Sequence, residues 1–475
     1  MFRRIFIFTI VLGWAAISAG NAQAQAPAAQ LDLAKLGDEA QGWLADLVRI
    51  NSVNPPGNEA QVAKYLSAIF QKEGISSETI EIAPGRSIVV ARLQAGPLPD
   101  PANALLLVAH QDTVGVDPKK WSVDPFGAVI RDGYLYGRGS IDDKAMLAAN
   151  LATMVALKRG KVRLTRDVIF LATDDEEQQG AASIKVVIEK YWDKIACAYS
   201  LNEGGRVIVK DGKVQYVGIQ ASEKVQYNVI VTATGTSGHA SMPRPDNAVV
   251  HLAAAIAKLG TYQVPAAPNT ITLTYFEQLS KIEDDEIAKW MRALEQPERA
   301  DLAVKHLTED SPMWGSMLRD TIAPTMLQAG VRVNVIPSDA SANLNVRMLP
   351  GHSIEELITQ FGKIVNDPQI KFQLGPDPGE NAPPSDITTP LYKDIERLTG
   401  QDFPGAIAVP LLGTGATDSA SLRLHKVQAY GLEPFPLTEA DNQRIHGDEE
   451  RIPVESFHKG VAFLYHVVSD FASTK

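Results

Sequence analysis

The chain has 475 residues, more than one hydrophobic core usually serves, so two domains are expected. Its 45% hydrophobic and 21% charged content exclude the disordered and collagen-like classes. A formal charge of −11 argues against nucleic acid and anionic membranes as partners.

At the start of the chain, Arg3 and Arg4 precede an apolar run over residues 5–19, and Ala22-Gln-Ala24 offers a small-residue cleavage site. That is the layout of a secretory signal peptide over residues 1–24, and the run is short for a membrane span. Its removal would take two arginines and move the formal charge from −11 to −13. The expected product is periplasmic or secreted, with no stable membrane association after signal removal. The lone Cys197 cannot form an intrachain disulfide and reads as a small buried hydrophobe.

Beyond residue 31, helical and strand-like segments alternate to about residue 220. Val62, Leu66, Ile69 and Phe70 keep helical spacing, and residues 104–109, 168–171 and 196–201 are short apolar runs of buried-strand type. The alternation predicts an α/β catalytic domain with a mainly parallel central sheet, covering 25–220 and 379–475. Between these parts, residues 221–378 read as an inserted α+β domain. Residues 225–234 are strand-like and 247–259 form an apolar-faced helix. Ala340, Ala342, Leu344, Val346 and Met348 alternate with polar residues, as in a strand with one buried face. Ser353 to Glu356 is spaced as a capping box. Residues 276–319 are charged and helical, an added subdomain.

Candidate chemistry gathers where strands should end. His110 and Asp112 follow the first run, Asp174-Asp-Glu-Glu177 the second and Glu203 the third; Asp142 follows a glycine-rich turn, and His446 comes late. In open α/β sheets, sites collect at the carboxyl ends of strands. Crowded carboxylates repel one another unless a cation or proton intervenes. Two histidines and three carboxylates suit a pair of zinc ions, with one aspartate bridging; cobalt or manganese would suit the same ligands. Of the pair Glu176 and Glu177, one would hold metal and its neighbour move a proton.

Four motifs occur in order: Leu107-Val-Ala-His-Gln-Asp112, Gly137-Arg-Gly-Ser-Ile-Asp-Asp-Lys144, Thr173-Asp-Asp-Glu-Glu-Gln-Gln-Gly180 and Asn202-Glu-Gly204. Together they resemble the M20 metallopeptidase family, which includes carboxypeptidase S-like, carboxypeptidase G2-like and aminoacylase-1-like enzymes. The resemblance implies a zinc-peptidase-like catalytic domain with an inserted lid and dimerisation domain. It implies that His110 and Glu203 hold one metal, Glu177 and His446 the other, and Asp142 bridges. Glu176 would be the general base, and Asp112 would orient His110. In the lid, Gly235-Thr-Ser-Gly-His239 resembles the motif whose histidine stabilises the oxyanion in a neighbouring subunit's site. Asn334-Val-Ile-Pro337 and Arg347-Met-Leu-Pro350 match two further lid motifs, with Asn334 and Arg347 implied in substrate binding.

The implied activity is hydrolysis of an amide next to a free carboxylate, in a small peptide or N-acyl amino acid, by a homodimer joined through the lid. Two rivals stand beside it: an amidohydrolase for another carbon–nitrogen substrate such as a ureido acid, and a non-catalytic binding protein of the same fold. The latter needs a missing ligand or base, and none is missing.

Overall fold

The computed structural model describes residues 31–178, 183–376 and 378–473. The expected signal peptide over 1–24 therefore lies outside the described residues. No helix among the described residues is long and apolar enough to cross a membrane.

The fully apolar runs become the centre of a ten-stranded sheet because only a strand buried on both faces can hide them. Leu105–His110 lies between Val168–Thr173 and Tyr199–Asn202, parallel to both, and Gln428–Gly431 continues the parallel order. Both Leu105–His110 and Val168–Thr173 are buried at every residue. The sheet as a whole is mixed. Arg86–Leu93 and Ser77–Ala83 add antiparallel at one edge, and Arg206–Lys210 pairs antiparallel with Lys213–Glu223 towards the other. The third strand starts later than its apolar run, at Tyr199, because the helix Ser183–Ile195 uses the chain almost up to Cys197. Helix Lys144–Arg159 is buried along nearly its whole length and packs on the helices Leu33–Arg49 and Val454–Ser473.

A second sheet is wholly antiparallel, in the order Thr321–Ala329, Asp339–Met348, Val225–Thr234, Ile370–Leu374. The alternation read from residues 340–348 appears as alternating burial along Asp339–Met348. Helices Ala248–Thr261 and Ile354–Val365 cover its apolar face and share a separate core with Val229, Leu252, Leu344 and Phe361. Ser353 caps the second of these, its hydroxyl accepting from the Glu356 amide at 3.3 Å.

The helices Thr270–Leu279, Asp285–Ala293, Ala300–Asp310 and Pro312–Met317 fall within the 221–378 stretch, yet their apolar faces join the core of the large sheet. Tyr275, Phe276, Leu307 and Met317 are buried there. A single residue, Lys224, separates Lys213–Glu223 of the large sheet from Val225–Thr234 of the small one. Its buried ammonium donates to the carbonyls of Ser316 and Arg319 and to the Thr321 hydroxyl, at 2.9–3.0 Å. Burial pushes its pKa down to about 7.

Candidate metal centre and active site

Three neighbouring parallel strands deliver their last residues to one edge, so ligands remote in sequence meet. His110 ends its strand, residues 174–178 turn away after Thr173, and Glu203 follows Asn202. Asp142 arrives on the turn before helix Lys144–Arg159. Both of its oxygens are engaged, by two different imidazoles: Oδ1 lies 2.9 Å from His110 Nε2 and Oδ2 lies 3.0 Å from His446 Nε2. His446 Nε2 is also 3.1 Å from Glu177 Oε2, and His110 Nε2 is 3.7 Å from Glu203 Oε2. The donor atoms of His110, Asp142 and Glu177 lie within 4.8 Å of one another, as do those of His110, Asp143 and Glu203.

Electrostatics match a site built around cations. Burial pushes the Glu176 and Glu203 carboxyls well above the usual carboxylate range, and neighbouring acids add to the rise. Asp143 moves the same way. Asp418, buried beside Thr173, is raised to about 7. Asp142 goes down instead, since its bonds to the two imidazoles outweigh its burial. Those same bonds to Asp142 and Glu177 raise His446 to about 10. Oxygen and imidazole donors converging from opposite sides, amid surplus negative charge, fit a pair of divalent ions.

A second layer fixes this cluster. The carboxylate of Asp112 is fully buried and accepts the amides of Glu176 and Glu177, each at 3.1 Å, and the side-chain amide of Asn54 at 2.8 Å. His110 Nδ1 lies 3.0 Å from the backbone carbonyl of Asp112 and 3.3 Å from its carboxylate, so Asp112 faces the ring on the side away from the cluster. Glu450 accepts from the amides of Gly139, Ile141 and Asp142 and from Arg138 Nη1. Arg138 also donates to the carbonyls of His446 and Gly447. Sequence reasoning missed Asn54, Arg138, Asp143 and Glu450. Arg138 and Asp143 stand inside a quoted motif, whereas Glu450 lies in none of them.

Two cavities of about 300 Å³ each flank the cluster and share the loop at residues 415–417. One is lined by Glu176, Glu177, Asp418 and His446 together with Arg347 from the second sheet and Lys224 from the junction of the two sheets. Arg347 donates through Nε to Asn345 at 3.1 Å, and no carboxylate is paired with it among the described residues. The other is lined by Asp142, Asp143, Glu203, Arg206, Met313 and Glu433 among others. A larger groove of about 1060 Å³ lies at the opposite ends of the strands, beside Leu93 and Val162, and holds none of these residues.

His239 and Asn334 are not brought into either cavity. They lie on the exposed ribbon formed by Gly238–His239 and Val335–Ile336, where the Ala240 amide donates to the Asn334 carbonyl at 3.1 Å. His239 Nδ1 is 2.8 Å from the Ser241 hydroxyl.

Comparison with known proteins bears on this arrangement. The profile of peptidase family M20/M25/M40 matches residues 106–470. The human protein named N-fatty-acyl-amino acid synthase/hydrolase PM20D1 is 29% identical over 375 residues, spanning 77% of this chain and 73% of that protein. The fold is that of an M20 family metallo-carboxypeptidase from Sulfolobus solfataricus, with a TM-score of 0.70 at 18% identity over 92% of this chain and all of the other. It is also that of a Bacillus subtilis protein described as a dinuclear metal binding peptidase of the same family, with a TM-score of 0.59 at 13% identity over 93% of this chain and all of the other. Because the profile covers most of the chain, including His110, Asp142, Glu177, Glu203 and His446, the chain belongs to peptidase family M20/M25/M40 and is a hydrolase of that family.

Proposed function

We propose that this protein hydrolyses an amide bond adjacent to a free carboxylate, in short peptides or N-acyl amino acids. One observation carries the reading: the guanidinium of Arg347, which no carboxylate among the described residues pairs, and the carboxyl of Glu176 line the same cavity. A charge-assisted, bidentate bond from Arg347 would seat the substrate carboxylate and set the neighbouring amide beside the cluster. The human relative is named for N-fatty-acyl amino acids, which contain that pairing of amide and carboxylate.

His110, Asp142, Glu177, Glu203 and His446 would hold two metal ions, zinc in this reading, with Asp142 between the two imidazoles. Bound there, the ions supply Lewis-acid polarisation and a more acidic water. Glu176 takes a proton from the attacking water. As the new carbon–oxygen bond forms and the carbon–nitrogen bond breaks, it returns that proton to the departing nitrogen. Asp112 holds base and ligand in register through the two amides it accepts. The exposed His239, supplied from a second copy joined lid to lid, would donate to the oxyanion. Asn334, beside it on the ribbon, would assist binding.

The test is hydrolysis of a panel of dipeptides, N-acyl amino acids and their carboxamide counterparts, with and without chelator. Cleavage that requires both metal and the free carboxylate is the expected result. A metal-replete protein that leaves the whole panel intact would sink the reading. Export rests on residues 1–24 alone, and N-terminal sequencing of protein recovered from the producing cell and its medium tests it.

A further inference from the structure

Residues 174–178 carry both the proposed base and a proposed ligand, yet they are a turn with no ladder of their own. The turn is gripped twice. Asp112 accepts the amides of Glu176 and Glu177 from one side. On the other, Asp175, in the left-handed region at φ 65°, offers its Oδ1 to Arg86 Nη1 at 2.6 Å and to Asn54 Nδ2 at 2.8 Å. The same Asn54 nitrogen donates to Asp112 Oδ2 at 2.8 Å. One amide group therefore draws two carboxylates together, and like charges so close need a cation beside them. Arg86 is that cation.

Arg86 is itself held in place. It begins the strand Arg86–Leu93, and the fully buried Glu59 lies 3.5 Å from its Nη2. Gly57, at φ 80°, leaves the room: a Cβ there would stand 2.6 Å from Arg86 Nε and Nη2 and 2.7 Å from Glu59 Oε2. The guanidinium thus lies between the sheet edge and the turn.

We propose that Arg86 is a positioning residue for the hydrolysis above, on whose assignment of Glu176 this inference rests. Through Asp175, its guanidinium fixes where Glu176 and Glu177 stand over the cluster. It touches neither substrate nor the reacting atoms. Without it, Asp175 and Asp112 repel across Asn54 and the turn withdraws, moving the base while leaving the Arg347 end of the cavity intact.

The experiment pairs kinetics with amide hydrogen exchange on Arg86→Gln, Asp175→Asn, the double variant and Arg86→Lys. Arg86→Gln is expected to lower kcat by about tenfold to a hundredfold, the scale of an ångström-sized misplacement, with KM within about twofold. The exchange of the Glu176 and Glu177 amides in the metal-free protein should rise while the central strands stay protected. Adding Asp175→Asn removes the repulsion and should recover part of the lost kcat, a coupling that general loss of stability would not produce. Arg86→Lys, which keeps the cation and tests the idea should Arg86→Gln fail to fold, should fall between. Wild-type exchange at Glu176 and Glu177 in the Arg86 variants, or kcat within about twofold of wild type, would overturn the proposal. If the wild type cleaves no amide at all, the function assigned to the site fails, and the exchange measurement still decides the role of Arg86.

Discussion

Arg138 and Glu450, 312 positions apart in the chain, form a buried ion pair with Nη1 2.5 Å from Oε2. The pair locks together the loops that carry Asp142 and His446. Glu450 accepts amides of the Asp142 turn, while Arg138 donates to the carbonyl of His446 itself. Removing one partner strands a buried charge, which typically costs about 3–5 kcal/mol. Glu450→Ala is therefore expected to lose stability on that scale and to weaken metal binding. Thermal unfolding with and without added metal checks both: the stabilisation that metal confers should shrink in the variant.

Glu176→Gln keeps the shape and the backbone amide that Asp112 accepts, but cannot carry the proton. Turnover should fall by about 10²–10⁴-fold, the usual range for a general base, with metal content unchanged. Steady-state kinetics together with metal analysis of the same sample separate loss of the base from loss of the site.

Arg347→Ala should raise KM by about tenfold to a hundredfold, corresponding to the roughly 1.5–3 kcal/mol of a hydrogen bond to a charged group. The diagnostic comparison uses a substrate whose carboxylate is replaced by a carboxamide. Wild type and Arg347→Ala should handle that substrate almost alike.

Beside the second sheet, His251 Nδ1 lies 2.6 Å from Asp367 Oδ2, joining helix Ala248–Thr261 to the turn before Ile370–Leu374. Asp367 raises the imidazole, and the imidazole in turn lowers Asp367. A raised histidine stabilises fully below its unfolded value of about 6.5, and that contribution is lost as pH rises through the folded value. The depressed Asp367 acts in the opposite direction, being lost as pH falls through its own folded value. Asp367→Asn should therefore lower the unfolding temperature at about pH 5.5, with the gap to wild type closing at alkaline pH. Unfolding scans across pH measure it; a gap that widens on the alkaline side contradicts the pairing.

Short-range periodicity made much of the architecture legible. The apolar runs of Leu105–His110 and Val168–Thr173 needed burial on both faces, and the alternation in Asp339–Met348 needed one wet face. Since an open sheet gathers its sites at strand ends, His110, Glu176, Glu177 and Glu203 could be grouped before any contact was known. Tertiary structure alone decided the rest. An apolar helix face records that it is buried and not against what, so only packing set the helices from Thr270 to Met317 on the large core. A carboxylate reads alike in a loop and in a core, so Glu450 became visible only once Arg138 and three amides closed around it. Arg86 stands in no motif, and nothing local marks it as the partner of Asp175 until the fold brings the two within 2.6 Å. Local patterns encode which residues must be hidden or paired, and the partner is supplied by chain remote in sequence, 89 residues away for Arg86 and Asp175 and 312 for Arg138 and Glu450.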